Sequence, residues 1–154
     1  MMPRGLAALA VVLALLPGMS LANRLALVIG NDGYENLPVL QKAGNDAAAI
    51  ADRLSGYGYT VSLLRDADRR TMTKALSDLA ADIDPGGEVV FYFAGHGVEI
   101  SGRNYLIPVD APAAKPEEAA FLTAESIAVD QVLDTIRERG ARVTVLILDA
   151  CRDN

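Results

Sequence analysis

The chain has 154 residues, 51% of them hydrophobic, a formal charge of -6, one histidine and one cysteine. That length describes one domain, able to bury roughly two thirds of its unfolded surface. The acidic balance and the confinement of arginines to short pairs (Arg69-Arg70, Arg137 and Arg139) argue against a nucleic-acid partner, and a lone cysteine rules out an internal disulfide.

The first stretch, MMPRGLAALAVVLALLPGMSLA, joins a charged Arg4 to an apolar run from Gly5 to Leu16 and a small-x-small site at Ser20-Leu21-Ala22. It is expected to be a signal peptide, residues 1–22, cut after Ala22. The run is too short for a spanning helix, which needs about 20 residues; an uncleaved anchor is the alternative. The mature domain would cover 23–154, exported to a periplasm or secreted, with no membrane association after cleavage. Loss of Arg4, the one charged residue of the leader, takes its formal charge from -6 to -7.

RLALVIG (Arg24 to Gly30) is a continuous apolar run of the kind buried on both faces of a parallel sheet. After the loop NDGYENLP, Ala47, Ile50, Ala51 and Leu54 recur at helical spacing, with Asn45 and Asp46 where a helix start wants acceptors and glycines 56 and 58 to close it. YTVSLL (Tyr59 to Leu64) predicts a second strand, and Met72, Ala75, Leu76 and Leu79 predict a helix behind Asp68 as N-cap. EVVFYFA (Glu88 to Ala94) predicts a third strand running into Gly95-His96-Gly97. VEISGRNYLIPVD then predicts a hairpin turning at Ser101-Gly102, and APAAKPEEAAFLT is a Pro/Ala/Glu-rich loop. Val129, Val132, Leu133 and Ile136 mark a helix stopped by Gly140, and RVTVLILD (Arg142 to Asp149) predicts the last strand. Alternating strands and helices imply an α/β fold with a mostly parallel sheet covered by helices on both faces.

In such sheets functional groups collect beyond the carboxyl ends of the strands. His96 falls two residues past the third strand and Cys151, on an expected turn, two past the last. Adjacent strands about 4.8 Å apart would bring imidazole and thiol together. A nearby imidazolium favours the thiolate, and the imidazole can protonate a leaving amine. Gly97, lacking a Cβ, lets a carbonyl approach its N–H, which with the Cys151 amide would form an oxyanion hole. A solitary histidine or cysteine is also commonly structural. A metal site of His96, Cys151 and Asp149 has no CxxC or HExxH spacing behind it, and GNDGYENLP has neither GxGxxG nor a Walker sequence.

The segments RLALVIGNDGYENLP, AGNDAAAIADRLSGYGY, FYFAGHG, YLIPVD and VLILDACRDN resemble, in order, those of the caspase-like cysteine peptidases, the family that includes caspases and metacaspases. The likeness covers nearly all of residues 24–154, and the 55-residue interval from His96 to Cys151 is close to the roughly 50 typical of caspases. The resemblance implies the large-subunit part of the caspase fold, a Cys151–His96 dyad and an oxyanion hole of Gly97 and Cys151. It departs in specificity: Leu40 and Gln41 stand where caspases carry an aspartate-selecting arginine, and Lys42 is an imperfect substitute. The acidic specificity pocket of metacaspases is matched by Asp46 and Asp149, implying cleavage after Arg or Lys; the alternatives are a helix-start acceptor for Asp46 and a turn former for Asp149. No cofactor is implied. Some metacaspases require calcium, for which Asp110 is a faint candidate and no ligand set is assignable. The sequence stops three residues after Cys151, so a C-terminal small-subunit segment or a partner chain would complete the sheet, and the final strand would otherwise expose an edge. The leading expectation is an endopeptidase acting on protein or peptide substrates; the rival is a non-proteolytic caspase-fold interaction module or an inactive fragment.

Overall fold

The computed structural model describes residues 22–152; the expected leader falls almost wholly outside the described residues. The strands are β1 (Arg24–Gly30), β2 (Thr60–Arg65), β3 (Glu88–Ile100), β4 (Arg103–Leu106), β5 (Ile127–Ala128) and β6 (Val143–Arg152), and the helices α1 (Ala43–Gly56), α2 (Arg69–Asp82), α3 (Ala119–Ala124) and α4 (Val129–Glu138). They form one six-stranded sheet in the order β2-β1-β3-β4-β5, with β6 on the other edge of β3. β2, β1, β3 and β6 are parallel neighbours, while β3 to β4 and β4 to β5 are antiparallel.

Strand alternation divides the core into two layers. Leu25, Leu27 and Ile29 of β1 join Val89, Phe91 and Phe93 of β3 against Met72, Leu76 and Leu79 of α2 and Val132 and Ile136 of α4. Ala26 and Val28 join Val90, Tyr92 and Ala94 against Ala43, Ala47 and Ala51 of α1. Each large apolar side chain so buried contributes about 1.5–3 kcal/mol. The alanines let α1 lie close on the sheet. At Gly30 an added Cβ would fall 2.5 Å from the Ala43 carbonyl oxygen and 2.7 Å from the Ala47 Cβ, so glycine there is a packing requirement.

The start of α1 is capped from a distance. Asp32 accepts the amides of Ala43 (2.9 Å) and Gly44 (2.8 Å), and Asp66 Oδ1 in turn accepts those of Asp32 and Gly33, each at 2.8 Å. A carboxylate on free amides at a helix N-terminus is favourable in both hydrogen bonding and charge. Asn45 and Asp46, expected as start acceptors, therefore lie two and three residues past the first residue of the helix. Asp68 caps α2 as its position implied, accepting the Thr71 amide at 2.7 Å.

The long strands run further than their apolar cores suggested. β3 continues through Gly95-His96-Gly97 to the turn at Ser101 and Gly102, both at positive φ (53° and 77°). β6 continues through Cys151 to Arg152, so Cys151 stands on a strand rather than a turn. The Pro/Ala/Glu-rich loop contains the short α3, preceded by a 3-10 turn at Pro116–Glu118 and followed by β5. Among the described residues no helix is long and apolar enough to cross a membrane.

Candidate active site

β3 and β6 carry the residues of interest in parallel register: Ala94 beside Asp149, Gly95 beside Ala150, His96 beside Cys151 and Gly97 beside Arg152. The histidine and cysteine are thus direct neighbours across one ladder, a spacing of about 4.8 Å between strands.

His96 is 7% exposed and held at several points. Its amide donates to the Tyr34 hydroxyl (2.8 Å), and its carbonyl accepts the Ile107 amide (3.1 Å). Its Nε2 lies 2.8 Å from the carbonyl oxygen of Pro38. A carbonyl only accepts, so this contact assigns the proton to Nε2 and, in the neutral ring, the basic lone pair to Nδ1. Because the amide and carbonyl of His96 both face the β4 side, alternation turns the Gly97 amide toward β6.

Tyr34 anchors this arrangement. Its ring packs edge-on to the imidazole at 4.5 Å between centroids, and its hydroxyl also donates to the Ile107 carbonyl at 3.1 Å. Burial, reinforced by the nearby charges of Asp32 and Asp66 and opposed by the hydrogen bond from the His96 amide, pushes its pKa up to about 12. The phenol therefore remains a neutral bridge. Gly95 makes room for it, since an added Cβ would lie 2.5 Å from the Tyr34 oxygen. At Gly97 an added Cβ would press on the Ala150 Cβ at 3.0 Å. The wholly buried Asn31 ties three segments together beneath the site: its Oδ1 accepts the Ala67 amide at 2.9 Å, and its Nδ2 donates to the carbonyls of Ala67 and Ile107.

Asp46 and Asp149 meet in one open cleft of about 440 Å³, walled by residues 39–43 with Ala94 and Gly95. Lys42 lines it too. Tyr92, on β3 two residues before Ala94, lies alongside: its pKa is raised first by burial, then by the charges of Asp149 and Asp46 and by its hydrogen bond to Asp149. One phenol sensing both carboxylates places them on a common side of the sheet. Neither Tyr34 nor Tyr92 was expected from the sequence; the two-residue strand spacing from Tyr92 to Ala94 and His96 was the available signal. Asp110 accepts the Arg69 amide at 2.9 Å at the start of α2. Among the described residues no group of three or more His, Cys, Asp or Glu side chains could hold a metal ion.

The class defined by this architecture is a caspase-like α/β fold. It is shared with protein GSU0716 from Geobacter sulfurreducens at a TM-score of 0.64 and 17% identity, over 84% of this chain and 50% of that one. A family profile described as the caspase domain of the C14 peptidases matches residues 23–154, and the chain belongs to that family. Similar curated proteins include mucosa-associated lymphoid tissue lymphoma translocation protein 1 of Homo sapiens, 29% identical over 130 residues, and its Mus musculus homolog, 30% identical over 130 residues. In each pairing the match takes in 84% of this chain but 15% of the relative's length.

Proposed function

We propose that this chain is the catalytic part of an endopeptidase that cleaves proteins after Arg or Lys, with Cys151 as nucleophile and His96 as acid and base. The observation that carries the reading is the His96–Cys151 register beside the acidic cleft of Asp46 and Asp149. In the proposed reaction the Cys151 thiol gives its proton to His96 Nδ1, and the thiolate attacks the substrate carbonyl carbon. The new S–C bond leaves a tetrahedral oxyanion, for which the Gly97 and Cys151 amides are the proposed donors, each worth about 10²–10³ in rate. Collapse breaks the C–N bond as His96 returns the proton to the amine. Water, deprotonated by His96, then displaces the thioester sulfur, releasing the acid and restoring the thiol.

Two carboxylates are well suited to a guanidinium or ammonium, and Lys42 would set how far the cleft prefers an extended cation over a compact one. The protein would be exported by a leader removed after Ala22, and a C-terminal small-subunit segment or partner chain would pair with the outer edge of β6. No cofactor is invoked.

The deciding experiment is cleavage of a peptide panel bearing Arg, Lys, Asp or Ala before the scissile bond. Cleavage after Arg and Lys that is abolished in Cys151→Ala and reduced by at least 10³ in His96→Ala is expected. Equal rates in Cys151→Ala would refute the nucleophile, and cleavage confined to Asp would refute the role of the acidic cleft. Absence of any cleavage by a folded protein would favour the interaction module.

A further inference from the structure

We infer that a second, apolar cavity on the opposite flank of His96 is the subsite for the residue that follows the scissile bond, and that it takes a medium aliphatic side chain. The inference rests on the peptidase reading above. The cavity measures about 130 Å³ and is walled by Leu37, Pro38, Val98, Ile107 and Leu122, with His96 and Gly97 also in its lining. No residue in that lining is charged at neutral pH apart from His96 when protonated.

Its position follows from two chain segments that step together. Going along β3, Ala94 and Gly95 line the acidic cleft, whereas His96, Gly97 and Val98 line the apolar cavity. Going along the loop before α1, residues 39–43 line the first, whereas Leu37 and Pro38 line the second. His96 therefore divides the two. A peptide with its basic side chain in the acidic cleft presents the next bond at His96 and Cys151, and its following residue to the apolar side. The chemistry requires the same order. His96 must deliver its proton to the leaving amine, and that amine is the backbone nitrogen of the residue after the bond. Its side chain is then one Cα away from a histidine that itself lines the cavity.

Size and polarity select the occupant. A dry cavity of about 150 Å³ accepts a benzene ring, so the slightly smaller space here fits valine, leucine or isoleucine better than phenylalanine. Glycine would leave it empty, and aspartate would bring an unpaired charge against apolar walls, a costly burial. Pro38 has a double part, with its carbonyl fixing the imidazole and its ring walling the subsite.

The test is a peptide series with Arg before the scissile bond and Gly, Ala, Val, Leu, Phe or Asp after it, cleaved by the wild-type protein, Leu122→Ala and Leu122→Trp. Leu122 sits on α3, which has no buried residue, so both variants should fold. A peptidyl-arginine chloromethyl ketone, which has no residue beyond the reacting carbon, is run beside it as an independent measure of Cys151 and the acidic cleft. The expected result is a kcat/KM for Val and Leu about tenfold or more above Gly and Asp, within the range that apolar pockets deliver. Leu122→Trp should flatten the series, Leu122→Ala should move its optimum to Phe, and labelling by the chloromethyl ketone should be unchanged in both. A flat wild-type series, a preference for Gly or Asp, or a profile indifferent to both Leu122 variants overturns the subsite, while chloromethyl ketone labelling keeps the peptidase reading standing. Failure of both cleavage and labelling overturns the two together.

Discussion

At the scale of single residues, Tyr34 holds the backbone of His96 in place from outside the proposed dyad. Its hydroxyl is the acceptor for the His96 amide, and both groups are buried. Tyr34→Phe would leave that amide without a partner, at a cost of about 1–3 kcal/mol, and would loosen the strand that presents the imidazole. The expected outcome is a lower melting temperature together with a fall in kcat larger than any rise in KM; an unchanged kcat would limit Tyr34 to a structural role. Its pH behaviour is a separate test. A phenol held at about 12 in the folded protein, against roughly 10 when unfolded, keeps its proton longer in the native state. The unfolded chain then binds fewer protons above pH 10, so stability falls as pH rises from about 10 through 12 and is fully present below 10. The loss is on the order of 2–3 kcal/mol, with Tyr92 acting in the same direction. Denaturant titrations between pH 9 and 12 should show this slope in the wild type and a shallower one in Tyr34→Phe; equal slopes would assign the alkaline loss to other groups.

At the scale of elements, the longer strands and helices were legible because each carries one dominant period, whereas the short α3 and β5 carry none and were not. β1 is apolar from Leu25 to Ile29, α2 and α4 repeat every three to four residues, and Asp68, Gly140 and Ser101-Gly102 mark their ends as expected. The element ends that shape the cleft were not legible, since they are fixed by contacts distant in sequence. The α1 start is set by Asp32, 11 residues before Ala43, and the strand pairing of Gly95 to Gly97 by Tyr34 and β6. The aromatic neighbours of the site were hidden for the same reason, whereas Asp46 and Asp149 were visible and do share a cleft. The α1 start is testable directly. Asp32→Asn keeps the size of the cap but removes its charge, costing about 1 kcal/mol at the helix end, and Gly30→Ala presses a methyl into the backbone of α1, costing about 1–3 kcal/mol. If the wall of the acidic cleft depends on this seat, Gly30→Ala should also raise KM for arginine peptides, measured in a temperature range where the variant remains folded. An unchanged KM in the destabilised variant would show that residues 39–43 are positioned by other contacts.

At the scale of the whole molecule, the unusual feature is the ten-residue span of β6, which pairs with β3 alone among the described strands. Its other edge offers backbone donors and acceptors, and Val143, Val145, Ile147 and Leu148 along it are between 37% and 42% exposed. A long apolar edge is a template for strand addition. The same edge in the 23–154 chain alone should pair with itself. Sedimentation over a range of concentrations is expected to show reversible association of that chain, and Val143→Lys with Val145→Lys to shift it to monomer by placing like charges on opposing strands. Both side chains are already exposed, so the melting temperature should fall by no more than a few degrees. Association that survives both lysines would move the contact off β6, whereas its loss would identify β6 as the edge through which copies pair, an edge one ladder away from His96 that is free to accept a further strand.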